Sequence, residues 1–143
     1  MRYEHRILIG VTGAIGKMGP QSQLITNKVA TLIGQEIGAE LLSSGKINDK
    51  MPYEEIWKVI NEEINIDNGA TVEKEAIENK AVITVTIRKC NVCPKKIGKY
   101  PLPATACPIG GIFKGVCESI NKEFEAASLD LIPGDTCKVV IRE

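Results

Sequence analysis

The cysteines are the side chains of this chain best suited to metal or redox chemistry. All five lie between residues 90 and 137 of a 143-residue chain. Cys90 and Cys93 form a C-x-x-C, the spacing with which two thiolates bind one tetrahedral ion. Cys107 lies at the start of a predicted helix, where the helix dipole favours a thiolate. Cys137 begins the last predicted strand, which can pair beside the strand that ends at Cys90. The pattern predicts one metal site formed by Cys90, Cys93, Cys107 and Cys137.

The identity of the metal is open at this point. Four thiolates suit zinc, and they also suit an iron–sulfur cluster. A plainer interpretation makes Cys107 and Cys117 small buried apolar residues and leaves Cys90 and Cys93 as a free or redox-active thiol pair. Cys117 is expected in the core or in a pocket wall in either case.

Length and composition bound the class of protein. A chain of 143 residues with 43% hydrophobic and 25% charged residues predicts one folded domain. The formal net charge is zero and aromatic residues make up 4%, so neither a basic footprint nor a base-stacking surface for nucleic acid is expected. No apolar stretch is long enough to span a membrane. Clustered cysteines without an export signal favour a cytoplasmic protein with reduced thiols.

The N-terminal half carries helical periods. Helices are predicted over residues 4–18, over 20–44 and from Pro52 onwards, each with apolar residues spaced by three and four. The stretch from Ile7 to Gly16 could be a glycine-rich phosphate loop, but the βαβ units that such a loop requires do not follow, so a glycine-packed helix is preferred. The single histidine, His5, is expected at the surface of this helix.

The C-terminal half alternates strands with one helix. Residues 70–78 and 81–89 have a period of two and are predicted to form a hairpin with Asn79-Lys80 as its turn. A helix is predicted over 106–121, and two strands over 123–131 and 136–142 are joined by a turn at 133–135. The order predicts an α+β fold. N-terminal helices precede a β-hairpin, a helix and a second β-hairpin, which form a four-stranded antiparallel sheet with helices packed on one face.

Five helical glycines predict that other backbones approach these helices closely. We expect them to pack the helices of two copies together in a homodimer, with residues 1–45 as the dimerisation part. They are Gly10, Gly13, Gly16, Gly34 and Gly38.

Several short motifs resemble those of the vinyl-reductase-like, or hydrocarbon-binding, domain family. They are Ile33-Gly34-Gln35-Glu36-Ile37-Gly38, a helix near Trp57, the Ile83–Ile87 strand, Ala106-Cys107-Pro108-Ile109-Gly110-Gly111-Ile112-Phe113-Lys114-Gly115 and Gly134-Asp135-Thr136-Cys137-Lys138-Val139-Val140-Ile141. The resemblance implies the fold of TRAPP vesicle-tethering subunits, a homodimer and a hydrophobic ligand pocket between helices and sheet. Some relatives hold zinc with cysteines, and Cys107 and Cys137 match such positions. The chain lacks a further family cysteine near Ser128 or Leu129, and Cys90 or Cys93 could replace it.

Together these patterns predict a cytoplasmic binding protein for a small hydrophobic ligand, with a cysteine-bound metal, preferably zinc. The residues predicted to line the ligand pocket are Trp57, Ile109, Phe113 and Val116. Two alternatives remain. One is an enzyme, or the partner of an enzyme, in tetrapyrrole reduction, although no hydride or proton donor is recognisable. The other is an iron–sulfur redox or sensor module.

Overall fold

A computed structural model describes residues 2–120, 122, 129–132 and 136–142 of the chain. It confirms the predicted α+β class and the predicted order of helices and strands. Along the chain these are α1 (Tyr3–Gly16), α2 (Ser22–Ser43), α3 (Tyr53–Ile64), β1 (Thr71–Ile77), β2 (Lys80–Ile87), α4 (Ile109–Glu118), β3 (Leu129–Ile132) and β4 (Cys137–Arg142). The predicted turn at 133–135 and most of the predicted strand 123–131 lie outside the described residues. No helix in the described ranges is long and apolar enough to cross a membrane.

The four strands form one antiparallel sheet in the order β1-β2-β4-β3. Glu78 and Asn79 both have positive φ, which matches a two-residue type I′ hairpin turn. The turn therefore comes one residue earlier than the predicted Asn79-Lys80. Along β2, Ile83, Val85 and Ile87 are buried on one face, as the period of two predicts. In the β2–β4 ladder Ile87 pairs with Cys137, so the start of β4 lies beside the end of β2.

Helices α2 and α4 pack with their backbones in contact. A Cβ atom on Gly111 would lie 2.6 Å from the Cβ of Ala30, and one on Gly115 would lie 2.7 Å from the backbone nitrogen of Gln35. On the opposing helix, Gly34 lies against the backbone of Ile112, and Gly38 lies against α4 near Ser119. Only glycine permits an approach this close. The predicted close packing is present, but it joins two helices of the same chain.

Two glycines of α1 likewise permit close contacts, in this case with side chains of a loop. The Tyr100 ring lies over Gly13, and the Leu102 side chain lies over Gly16. Gly10 faces open space. Four of the five glycines expected to form a homodimer contact therefore have partners within the chain, and the expectation was wrong about what they pack against. The homodimer itself stays a prediction.

The core lies between the helices and the buried face of the sheet. Its centre is Phe113 on α4, which makes edge-to-face ring contacts with Trp57, at 5.6 Å between centroids, and with Tyr53, at 6.4 Å. These residues come from α3 and α4, so the aromatic cluster joins the two helices. Helix α4 begins at Ile109, three residues later than predicted, and every residue from Ile109 to Cys117 is buried.

The contact between α2 and α4 predicts the effect of adding one methyl group. Gly115→Ala should lower the free energy of unfolding by about 2 kcal/mol or more, since the new Cβ overlaps the α2 backbone and the helices must separate. Gly10→Ala is the matched control. It lies in the exposed middle of α1 and should raise the free energy of unfolding by up to about 1 kcal/mol. Chemical denaturation measures both, and equal effects would contradict the packing described.

Candidate metal centre

The four cysteines that the sequence singled out line one cavity of about 240 Å³ at the end of the sheet. Cys90 follows β2, Cys93 begins the next loop, Cys107 precedes α4 and Cys137 begins β4. The Ile87–Cys137 pair in the ladder explains why β2 and β4 deliver their thiols to the same edge. The structure thus brings together four thiols from three separate segments, since Cys90 and Cys93 share one turn. Their role as metal ligands stays a prediction at this point.

Cys90 is positioned by a loop that pairs with it. Asp67, which is fully buried, forms an isolated antiparallel bridge with Cys90. Its carboxylate accepts the backbone N–H groups of Lys89, at 2.9 Å, and Gly69, at 2.8 Å. The Asn61 side chain fixes Asp67 in turn, because its amide donates to the Asp67 carbonyl at 2.5 Å and its oxygen accepts the Asp67 N–H at 2.8 Å. Cys90 therefore rests on a buried and fully hydrogen-bonded support.

Cys93 starts a tight turn whose far end is fixed to α1. The Cys93 carbonyl accepts the N–H groups of Ile97, at 2.9 Å, and Gly98, at 3.1 Å. The loop continues to Tyr100 and Leu102, whose side chains pack over Gly13 and Gly16 of α1. Contacts with α1 thus hold this loop even without an ion.

Cys107 is held by a side chain from α2. The Gln23 amide donates to the Cys107 carbonyl at 2.8 Å, and its oxygen accepts the Cys107 N–H at 2.9 Å. The Cys107 thiol accepts the N–H of Ile109, the first residue of α4. Cys107 lies two residues before α4, not at its first residue, and the first N–H of the helix donates to its sulfur.

Three of the four sulfurs accept backbone hydrogen bonds. Besides Cys107, the Cys90 sulfur accepts the Val92 N–H at 3.5 Å, and the Cys93 sulfur accepts the Lys96 N–H at 3.4 Å. Hydrogen bonds to the charged form of a group favour that form. The site therefore supplies hydrogen-bond donors that favour thiolates, the form in which cysteine binds a metal.

Burial has the opposite effect on the thiols in the absence of a cation. Burial raises the pKa of Cys90 to about 12. The hydrogen bond from the Val92 N–H lowers this pKa, whereas the nearby Cys93, Asp67 and Cys137 raise it further. Burial likewise raises the pKa of Cys107 far above its usual range, with smaller contributions from the other three thiols. Four thiolates cannot share this cavity unless a positive ion offsets their repulsion.

Basic residues surround the same cavity. Its walls include four basic residues that are also exposed to solvent: Arg88, Lys89, Lys95 and Lys96. A divalent ion with four thiolates carries a net charge of about −2, which nearby cations offset. In the described ranges, no three His, Cys, Asp or Glu side chains already form a closed ligand group. An ion would therefore have to draw the sulfurs inwards, to about 2.3 Å from a zinc.

The residues predicted to contact a hydrophobic ligand lie in different environments. Ile109 lines the thiol cavity. Trp57, Phe113 and Val116 are buried in the core, where they pack against one another and against the sheet. None of these three lines the thiol cavity. Their role as ligand contacts stays a prediction.

Two further residues differ from, or extend, the sequence-based picture. His5 was expected at the surface but is 5% exposed, and its Nε2 lies 2.5 Å from the Ile64 carbonyl. Cys117 is fully buried in the core, one of the two positions expected for it. The supporting residues Gln23, Asn61 and Asp67 carry no sequence signal, because single polar side chains at these spacings match no motif.

Cys117 predicts a pH dependence of stability. Burial raises its pKa to about 12, Lys122 opposes the shift and Glu118 adds to it. The folded state therefore keeps this proton while the unfolded state loses it above about pH 9, so stability falls as pH rises from there towards 12. The loss approaches about 1.4 kcal/mol per pH unit.

Chemical denaturation of wild type and Cys117→Ala between pH 8.5 and 10.5 tests this expectation. The two proteins differ only at residue 117, so the difference between the two slopes isolates Cys117. Parallel slopes would show that Cys117 ionises equally in both states.

Comparison with known proteins places the chain in a family. The model of the MJ0207 family matches residues 14–143. The uncharacterized protein MJ0207 of Methanocaldococcus jannaschii is 30% identical over 125 residues, which cover 87% of this chain and 78% of that protein. The uncharacterized protein MJ1342 of the same organism is 36% identical over 61 residues, 43% of this chain and half of that protein. No solved structure matches the chain. The chain belongs to the MJ0207 family.

Proposed function

We propose that this protein binds one zinc ion through Cys90, Cys93, Cys107 and Cys137. The observation that carries the proposal is the shared cavity, to which three chain segments far apart in sequence contribute four thiols. Chance burial of cysteines would scatter them through the core, as it does Cys117. Backbone N–H donors to three of the sulfurs and a basic rim add to the same argument.

The ligand set indicates a structural ion. Zinc sites with four cysteines are closed, whereas catalytic zinc keeps one position open for water or substrate. The ion would join the turn after β2, the segment that precedes α4 and the start of β4. Thiolates assemble only in the folded state, so binding adds to folding stability. The protein is on this basis a binding protein rather than an enzyme.

The compartment and ligand belong to the same proposal. Free thiols persist in the cytoplasm, where they are kept reduced. The rest of the thiol cavity is largely apolar, with walls from Ile87, Ile109 and Leu131. A small hydrophobic ligand beside the metal, as the vinyl-reductase-like resemblance implies, would suit these walls. For the implied homodimer, exposed apolar side chains on α1 and α2 such as Ile7 and Leu32 provide a surface.

An iron–sulfur cluster is the second candidate, and the size of the cavity favours it. A volume of about 240 Å³ far exceeds the roughly 10–15 Å³ that one water-sized occupant needs. Four cysteines and hydrogen bonds to sulfur also suit such a cluster. Tetrapyrrole chemistry gains less support, because this cavity is smaller than the about 300–1,000 Å³ typical of drug-sized ligands.

Metal analysis of protein purified under reducing, oxygen-free conditions tests the proposal. We expect one zinc per chain and no visible absorption. Iron with acid-labile sulfide and a brown colour would replace zinc with the cluster, and protein that takes up neither metal would overturn both.

Cys93→Ser should lower the metal content and the melting temperature together, because it removes one ligand. Cys117→Ser is the matched control, since this cysteine lies in the core, and it should keep the metal although it costs stability. Elemental analysis and thermal melts measure the two properties. Equal metal loss in both variants would mean that the metal depends on fold stability alone.

Gln23 offers a test of how the site is positioned. Gln23→Ala removes both hydrogen bonds to the Cys107 backbone and should weaken metal affinity about 10–100-fold, while all four ligands remain. Gln35→Ala is the control, because this exposed amide on the same helix bonds only to Glu118 in the described contacts. Competition with a chromophoric chelator measures affinity, and indistinguishable variants would remove Gln23 from the site.

A further inference from the structure

A second cavity, of about 190 Å³, separates α1 from α2. Its side walls come from these two helices, and its floor reaches residues of the core. The side walls include Leu8, Val11, Ile33 and Ile37, and the floor includes Ile66, Val92 and Ile112. The three floor residues are at most 1% exposed, so the cavity penetrates to the centre of the domain.

Both walls are fixed by contacts elsewhere, which explains why the gap does not close. Helix α1 is held through Gly13 and Gly16 by the side chains of Tyr100 and Leu102. Helix α2 is held by its backbone contact with α4, through Gly34 and Gly115. Moving either helix into the gap would break close-packed contacts, which proteins do not give up readily.

The lining indicates an uncharged occupant. Glu4 and His5 are the ionisable residues in the wall, and both have partners. The His5 ring is buried, and because the Ile64 carbonyl can only accept, Nε2 donates to it at 2.5 Å. Glu4 is exposed at the rim and forms an ion pair with Arg2 at 2.5 Å. A charged ligand would find no counter-charge in the depth of the cavity and would lose its hydration there.

We propose that this cavity binds a small, uncharged, apolar molecule of about the size of benzene. Apolar cavities of about 150 Å³ stay dry and bind benzene or xenon, and this cavity is somewhat larger. The site is separate from the thiol cavity, and none of the four cysteines lines it. Its floor nevertheless includes Val92, whose N–H donates to the Cys90 sulfur. An occupant would therefore contact the C-x-x-C turn at Val92.

Methyl NMR of the full chain, with its metal as isolated, tests the site. Xenon and benzene are the probes, and isoleucine and valine methyl groups are labelled. The methyl signals of Ile66, Val92 and Ile112 should shift and saturate as either probe is added. Those of Ile83 and Val85, core residues of the sheet that do not line the cavity, should stay unchanged.

A variant that fills the cavity provides the control. Val11→Phe places a ring over the opening and should weaken benzene binding at least tenfold. Leu42→Phe, at another exposed position that lines neither apolar cavity, should leave binding unchanged. Should Val11→Phe fail to fold, Ile7→Trp at the rim gives the same test, because Ile7 is 67% exposed.

Three results would overturn the proposal. The floor methyl signals could fail to shift, or both phenylalanine variants could bind benzene as the wild type does. Sedimentation could also show a dimer in which the signals respond only after dissociation. That outcome would assign the cavity to a second copy of the chain. Metal content measured on the same samples keeps these results separate from the zinc proposal.

Discussion

The close contact between the backbones of α2 and α4 is the constraint on which the rest of the structure depends. Gly111 and Gly115 let α4 lie directly against α2, where Gly111 meets the Ala30 methyl group and Gly115 meets the α2 backbone. This contact fixes where α4 begins, and therefore where Cys107 lies. Gln23 on α2 then completes the positioning through the Cys107 backbone. The same contact turns Phe113 towards Trp57 and Tyr53, so one packing choice fixes both the core and one wall of the thiol cavity.

Two opposing electrostatic effects act on the thiols of the cavity, and a cation would offset the unfavourable one. Burial and mutual repulsion disfavour thiolates at Cys90 and Cys107, whereas backbone N–H groups favour them. Buried polar groups with fixed donors cost little only when a suitable charge completes the network. A thiophilic cation would turn the repulsion into coordination, as the proposed zinc site requires.

Part of this structure follows from the sequence for simple physical reasons. The last strand can pair antiparallel with β2, and such a pair places the start of β4 beside the end of β2, as the ladder between Ile87 and Cys137 confirms. Glycine spacing predicts a close approach, but it cannot identify what approaches. It therefore does not distinguish a contact within the chain from a contact between two copies. Apolar residues of a core and of a pocket look alike in sequence, which explains the different positions of Trp57 and Ile109.

The C-x-x-C turn lies between the two cavities, and this position has a thermodynamic consequence. Val92 contributes its side chain to the floor of the α1–α2 cavity and its N–H to the Cys90 sulfur. Any change in the turn that an apolar occupant favours would alter metal affinity, and linkage requires the metal to alter the occupant's affinity by the same factor. Asp67 and Asn61 hold Cys90 at one end of the turn, and backbone hydrogen bonds hold Cys93 at the other, so Val92 between them is the residue that both cavities share.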